Sequence, residues 1–160
     1  MRPQQRQLSV ILCVALGAIF TYALIRAFSE DDESRVRRAA YVGIAAFEKT
    51  DIRKCAPLIS DTYEDTFGNN KAAVLRFLFE IFKDFKDFRI VVKKLKIKVK
   101  GTEAGGDVWF TCYFRKIGDE KLYYDSGKIE FGFAKELKIW KVKKIEYSGS
   151  NELLFLQSVA

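Results

Sequence analysis

The side chains that could do chemistry in this chain are restricted first by an absence: none of its 160 residues is histidine. This excludes the Ser-His and Cys-His dyads and every histidine-containing metal site. Carboxyl and phenol groups remain as candidates for proton transfer. Asp125, followed by Ser126 and Gly127 in a predicted β-bulge, could present a carboxylate as a general base. We expect no cofactor and no metal site.

The three cysteines do not have the spacing of a metal site. Cys13 lies in an uncharged apolar stretch, and Cys55 and Cys112 stand apart with no C-x-x-C pattern. Cys112 shares the parity of Phe110 and Phe114, which predicts a buried thiol that acts as a small hydrophobic side chain. A disulfide between Cys55 and Cys112 is the alternative, if the second helix packs on that face in an oxidising compartment.

A basic stretch occupies residues 86–100, with seven Lys and Arg against one acid, Asp87, a local charge of +6. Within it Lys94, Lys96, Lys98 and Lys100 alternate with apolar residues, so their ammonium groups line one face of a predicted strand. Such a row could bind anionic lipid headgroups. The alternative is a solvated face whose lysines discourage edge-to-edge pairing. Nucleic acid is not expected, because the alternating residues are aliphatic and not aromatic.

The elements that position these groups begin with an apolar stretch near the N-terminus. The 19 residues between Arg6 and Arg26 carry no charge, and as a helix they would span roughly 28 Å, close to the hydrocarbon thickness of a bilayer. This predicts a single-pass membrane anchor at residues 8–28, after a basic flank at 1–7 and before an acidic linker at 29–33. A cleaved signal peptide is the alternative, because Arg2 and Arg6 also form a basic n-region.

The orientation of the predicted anchor follows from two arguments that disagree. A short basic N-terminus followed by one span is typical of a signal anchor, so we expect the downstream domain outside the cytoplasm, in the periplasm or the extracellular space. A strict count of Lys and Arg near the span favours the opposite orientation, since Arg26 and three arginines at 35–38 follow it.

Three helices are predicted before the strands. A helical stripe starts at Ser34, a short helix follows the capping pair Thr50-Asp51, and a third helix follows Asn69-Asn70, with its apolar stripe reaching Phe88. Alternating patterns then predict four strands, at 90–100 with a bulge at Lys93-Lys94, and at 107–117, 122–134 and 137–147. Turns are expected around Gly101 with 104–106 and at 118–119. Residues 149–160 form a C-terminal tail.

Helices followed by an antiparallel meander indicate an α+β domain, with three helices packed on one face of a curved sheet. Residues 34–148 resemble the nuclear transport factor 2-like superfamily, which includes SnoaL-like and ketosteroid isomerase-like cone domains. The resemblance is carried by Phe-Glu-Lys-Thr-Asp-Ile at 47–52 and Leu-Lys-Ile-Trp-Lys-Val at 137–142. It implies a cone with an internal pocket. The polar residues that could lie near its mouth are Tyr63, Tyr113, Tyr124 and Asp125.

Members of that superfamily include enzymes, small-ligand binders and non-catalytic domains that hold partners together. Catalytic members use an Asp or His set in the cone, and no such position can be carried over here. We therefore predict no catalytic residues and a membrane-anchored scaffold that binds a protein partner or self-associates. One alternative is a small apolar ligand, or ketosteroid isomerase-like or polyketide cyclase-like chemistry, in the cone. The second is docking of the lysine row on anionic lipid.

Overall fold

The computed structural model describes residues 31–149 as three α-helices followed by a four-stranded antiparallel sheet. The helices are α1 (Asp32–Glu48), α2 (Ile52–Cys55), which continues into a 3-10 turn at Ala56–Leu58, and α3 (Lys71–Asp84). The strands are β1 (Phe85–Lys100), β2 (Glu103–Lys116), β3 (Leu122–Glu136) and β4 (Ile139–Gly149). The sheet order is β1-β2-β3-β4, so every strand pairs with its neighbour in sequence.

The helix starts confirm the capping residues that the sequence predicts. The Asp51 carboxylate accepts hydrogen bonds from the backbone N–H groups of Arg53 (3.1 Å) and Lys54 (3.2 Å) at the start of α2. The Asn70 side chain accepts from the N–H of Ala73 at 3.0 Å at the start of α3. Both caps satisfy N–H groups that have no partner within their own helix.

The end of α3 differs from the prediction. Phe85 and Phe88 belong to β1 and not to the helix. The register of β1 against β2 shifts between Lys86 and Arg89, and Asp87 there has a φ of 57°. An extra residue in a strand places two inward side chains three positions apart, which is also a helical spacing. The same spacing therefore fits both structures.

The irregularities of the sheet are partly those predicted. The bulge at Lys93-Lys94 is confirmed by a register shift between Val92 and Lys94. The bulge predicted at 125–127 is wrong, because β2 and β3 pair without interruption there. The register of β3 against β4 shifts between Gly132 and Phe133, with Lys143 of β4 as the extra residue. Residues 104–106 lie in β2, and the turn before it is at Gly101 and Thr102.

Buried side chains form two clusters on the face of the sheet that the helices cover, called here the inner face. The aromatic cluster consists of Ile81, Phe85, Phe88, Phe110, Cys112 and Phe114, with Phe47 of α1 and Phe77 of α3 packed against it. The Trp140 cluster consists of Val36, Ala104, Phe133 and Trp140. Ala104, Phe110, Cys112 and Phe114 have the same parity on β2, so both clusters lie on one face.

The loop between the 3-10 turn and α3 is attached to the last strand. Ile59 forms a parallel bridge with Val142, and the N–H of Ser60 donates to the Val142 carbonyl at 2.8 Å. The Ser60 side chain is fully buried and its hydroxyl donates to the Glu136 carboxylate. These contacts join an early loop to the C-terminal hairpin.

Two further predictions concern the membrane and the cysteines. The predicted anchor at 8–28 lies outside the described residues, as do its basic flank and residues 150–160 of the tail. No helix within residues 31–149 is long and apolar enough to cross a membrane. Cys55 and Cys112 are both buried free thiols, and the disulfide considered as an alternative does not join them. Cys112 packs in the aromatic cluster, and Cys55 is not a member of that cluster.

Candidate functional site

A carboxyl group is buried on the inner face of the sheet. The register of β2 and β3 places Asp125 directly opposite Cys112, so both side chains point into the aromatic cluster. Asp125 is 5% exposed and Cys112 is 3% exposed. The Tyr147 hydroxyl donates a hydrogen bond to Asp125 Oδ2 at 3.2 Å. Within residues 31–149, Asp125 forms no ion pair with a Lys or Arg, although burying a carboxylate without a cation is costly.

The position of Tyr147 depends on the glycine next to it. Tyr147 pairs with Ile129, and its ring lies over the backbone of Gly127. A Cβ atom at Gly127 would be 2.6 Å from Cε2 and 2.7 Å from the hydroxyl oxygen of Tyr147. The glycine predicted to mark a bulge therefore has another role. It permits a phenol ring to lie flat and reach the Asp125 carboxyl.

Burial and negative charge keep the neighbouring acids protonated. Burial raises the pKa of Tyr147 to about 12, and the charge of Asp125 and its hydrogen bond contribute. Burial also raises the pKa of Cys112 to about 12, with further contributions from the charges of Asp125 and Glu48. At neutral pH the phenol is therefore a hydrogen-bond donor, and the thiol is not a nucleophile.

Glu48, the last residue of α1, also belongs to this region. Its Oε1 atom accepts a hydrogen bond from the backbone N–H of Ile90 at 2.6 Å. Ile90 pairs with Cys112 across β1 and β2. The last residue of α1 is therefore hydrogen-bonded to β1, the strand that pairs with β2 at Cys112. Helical periodicity does not reveal this role, because the partner of Glu48 is a backbone N–H of a strand and not an apolar side chain.

The structure does not bring together the four residues predicted at the pocket mouth. Tyr113 and Tyr124 are cross-strand neighbours on the opposite, outer face, with ring centroids 6.2 Å apart, and Tyr124 is 67% exposed. Tyr63 is buried in the loop attached to β4, and burial raises its pKa to about 12. Asp125 alone of the four is shown here to face the aromatic cluster, and its phenol partner is Tyr147.

The surroundings of Asp125 are aromatic. The ring of Phe110 lies 6.4 Å from that of Tyr147, and the ring of Phe114 lies 6.0 Å from that of Tyr123. The carboxylate set among such rings can accept a hydrogen bond from a ligand that is otherwise apolar, and the phenol oxygen, whose proton is donated to Asp125, can accept another. They can also take up a proton and stabilise the resulting oxyanion.

A polar cleft of about 340 Å³ lies elsewhere, at the end of the sheet where α3 meets β1. Its lining consists of Lys86, Asp87, Arg115, Asp119 and Glu120. These charges contact one another: Arg115 forms an ion pair with Asp87 at 3.2 Å and donates to the Glu120 carbonyl at 3.3 Å. The cleft contains none of the predicted site residues.

The fold of the described residues is the nuclear transport factor 2-like fold. It matches a nuclear transport factor 2-like superfamily protein from Salmonella enterica serovar Typhimurium with a TM-score of 0.66 and 14% identity, over 74% of this chain and 91% of that chain. A proposed scytalone dehydratase from Novosphingobium aromaticivorans matches with a TM-score of 0.69 and 17% identity, over 75% and 85%. A proposed aromatic ring hydroxylase from the same organism matches with a TM-score of 0.67 and 12% identity, over 76% of this chain and 90% of that chain.

These similarities confirm the predicted α+β cone and go no further than the fold. No protein-family model and no curated protein matches the sequence. At such identities a shared fold does not imply a shared activity, so function must be argued from the side chains.

Proposed function

We propose that the inner face of the cone binds a small, mainly apolar ligand with one hydroxyl or carbonyl group, and that Asp125 and Tyr147 are its polar contacts. One observation carries the proposal: Asp125 is buried among aromatic side chains, accepts a hydrogen bond from Tyr147, and forms no ion pair within residues 31–149. This reverses the order of the sequence-based hypotheses, since the cone ligand was the alternative there.

The hydrogen-bonding capacity of the pair supports this role. An ionised carboxylate offers about four acceptor positions, and Tyr147 occupies one of them. A ligand hydroxyl could donate to a remaining position, which would compensate part of the cost of burying the charge. The aromatic side chains would contact the rest of the ligand.

The same two groups suit proton transfer at a carbon next to a carbonyl. Asp125 would take the proton, the electron pair of the C–H bond would form the C=C bond of the enolate, and the π pair of the carbonyl would move to its oxygen. The Tyr147 hydroxyl would then turn from the neutral Asp125 and donate its hydrogen bond to the enolate oxygen. This is the ketosteroid isomerase-like or polyketide cyclase-like alternative drawn from the sequence. Fold neighbours proposed as a scytalone dehydratase and an aromatic ring hydroxylase are consistent with a cyclic, oxygen-bearing ligand.

Fluorescence titration of the full chain with 2-naphthol, an aromatic probe with one hydroxyl, tests the proposal. We expect saturable binding that weakens roughly tenfold in Asp125→Asn, because a hydrogen bond to a charged group contributes about 1.5–3 kcal/mol. Tyr147→Phe should weaken it less.

Asp119→Asn is a matched control for that titration. Asp119 also accepts a tyrosine hydroxyl, from Tyr123 at 2.7 Å, but it lines the polar cleft outside the aromatic cluster. The control variant should bind 2-naphthol like the unmodified chain. Equal binding by the Asp125 and Asp119 variants would contradict the proposal.

A second candidate is the scaffold role favoured by the sequence, acting through self-association. The observation in its favour is the outer face, where Tyr124 is 67% exposed and Val91 is 41% exposed. Sedimentation velocity of the full chain in detergent, with and without Tyr124→Lys, tests it. A dimer that dissociates in the variant supports the scaffold, and a monomer in both contradicts it.

A further inference from the structure

We propose that the outer face around Trp109 docks on an anionic lipid surface, with Lys94 and Lys96 contacting the phosphate headgroups. This function is independent of the ligand proposed for the inner face. It assigns a partner to the basic residues of β1, whose role in the fold does not require a positive charge.

The geometry concentrates three ammonium groups on one indole ring. The Nζ atoms of Lys94, Lys96 and Lys128 lie 5.3, 5.4 and 5.6 Å from the ring centroid of Trp109. Cation–π attraction holds each ammonium near the ring, but like charges at one ring repel one another where no acid compensates them. A multivalent anionic surface would relieve that repulsion.

The three lysines differ in their other partners. Lys128 forms ion pairs with Asp107 at 3.0 Å and Glu130 at 2.7 Å. Lys94 and Lys96, by contrast, are exposed and form no ion pair with any acid in residues 31–149. Within the described chain, the two charges beside Trp109 therefore contact the indole and form no ion pair with an acid.

The rest of β1 extends this unpaired charge along an edge of the sheet. Lys98 and Lys100 are also exposed and, within residues 31–149, also lack an ion-pair partner. On the opposite edge, Lys143 and Lys144 of β4 pair with Glu103 and Glu146. The difference between the two edges makes β1 the positively charged one, although both strands are rich in lysine.

The spacing of the row favours an extended surface over a single anion. Alternate residues of a strand lie roughly 6.7 Å apart, so Lys94 to Lys100 extends over roughly 20 Å. Many headgroups in a plane can contact such a row, and an indole ring is well suited to the headgroup level of a bilayer. A single-stranded nucleic acid would require several open stacking rings, whereas Trp109 is covered by lysines.

The sequence before the described residues also favours a membrane. The uncharged apolar stretch ends at Ile25, and α1 begins at Asp32. Six residues separate them in the sequence. An anchor in that stretch, as the sequence predicts, would keep the domain close to the lipid surface, where even weak electrostatic docking is populated.

The experiment uses tryptophan fluorescence of the full chain reconstituted in phosphatidylcholine vesicles with and without phosphatidylglycerol, both containing a headgroup-labelled nitroxide lipid. The chain has two tryptophans, and Trp140 is 3% exposed, so Trp109 is the accessible reporter. We expect quenching that depends on phosphatidylglycerol, disappears in Trp109→Phe and decreases as salt is added.

Two double variants make the test specific. Each lysine near an anionic surface contributes about fivefold to binding, so K94Q/K96Q should lower the docked-to-undocked ratio roughly 25-fold. K143Q/K144Q removes the same charge from ion-paired lysines and should lower it much less. Asp125→Asn should leave docking unchanged, which separates this proposal from the inner-face ligand.

Several results would overturn the proposal. Quenching that ignores phosphatidylglycerol or salt would do so, as would an equal loss in the two double variants. A change in Trp109 emission on adding inorganic phosphate to the detergent-solubilised chain, without an effect of anionic vesicles, would indicate a single-anion site instead. The same result with an RNA oligonucleotide would indicate a nucleic-acid surface.

Discussion

The aromatic cluster and the Trp140 cluster lie on the same face of the same sheet, but only the first adjoins a buried carboxyl. Around the aromatic cluster, Tyr147 and Cys112 have raised pKa values, and Asp125 accepts a buried hydrogen bond from Tyr147. In the Trp140 cluster the polar side-chain atom is the indole nitrogen of Trp140, which has no hydrogen-bond partner among the described residues. The Trp140 cluster therefore packs as a core without a buried carboxyl. Packing of the inner face does not in itself require one, which singles out Asp125 as a functional candidate.

Replacing one phenylalanine of each cluster by alanine should have the largest effect on stability. Phe114 is 1% exposed and Phe133 is 3% exposed, so Phe114→Ala and Phe133→Ala should each lower the unfolding free energy by about 3–5 kcal/mol. Urea denaturation followed by circular dichroism measures both. A much smaller loss for Phe114 would show that the aromatic cluster is loosely packed, and the contrast between the clusters would change.

Gly127→Ala should break the comparison at the polar group itself. The added Cβ would overlap the Tyr147 ring, and overpacking of this kind costs about 1–3 kcal/mol. Gly132→Ala in the same strand is the control, because its Cβ would lie at an ordinary contact distance of 3.5 Å from the Cβ of Lys144. Gly127→Ala should lower the midpoint of thermal unfolding and weaken the binding of 2-naphthol. Equal effects of the two would contradict the role assigned to Gly127.

The buried thiol predicts a pH dependence. Burial raises the pKa of Cys112 from 9.0 to about 12 in the folded chain. The contribution of this thiol to the free energy of unfolding is therefore complete below pH 9 and is lost as the pH rises toward 12. Near pH 10 the unfolded chain has gained on the order of 1 kcal/mol from ionising Cys112. Urea unfolding of the full chain and Cys112→Ala at neutral pH and near pH 10 measures this difference. An identical alkaline loss in both would refute it.

Trp140→Phe should have the smallest effect. The smaller ring leaves a small cavity, but the change also removes an N–H group that lacks a partner within the described residues, so the net loss should be about 1 kcal/mol. Urea denaturation checks the value. A loss of several kcal/mol would mean that the indole N–H has an acceptor in solution, such as a buried water, and that this cluster too contains a polar contact.

The sequence predicts the architecture well because helices and strands have different apolar periods. The order of three helices and four strands, both helix caps and the bulge at 93–94 are recovered from local patterns. The errors occur where two structures share one period, as at Phe85 and Phe88, or where a glycine has two explanations, as at Gly127. These ambiguities are resolved by packing partners that are distant in the sequence.

The site is less accessible to the same reasoning. Asp125 is recognisable as an unusual acid, but its partner Tyr147 lies 22 positions away and is identified only by the register of β3 against β4. Strand parity already separated Tyr113 from the inward residues Phe110 and Phe114. Pairing β4 against β3 so that Gly127 lies opposite Gly149 places Tyr147 next to Gly127 on the inner face. That register is the signal in the sequence from which Tyr147 could have been found.

The attachment of the loop at 59–64 to β4 has a consequence for protein synthesis. The ribosome makes the loop early and Val142, its partner, close to the end of the domain. Hairpins β1–β2 and β2–β3 join neighbours in sequence and can form as they emerge. The Ser60 and Trp140 contacts must wait for the last strand. A nascent chain therefore keeps a partly open domain until the C-terminal hairpin is released, a period in which it is exposed to chaperones and proteases.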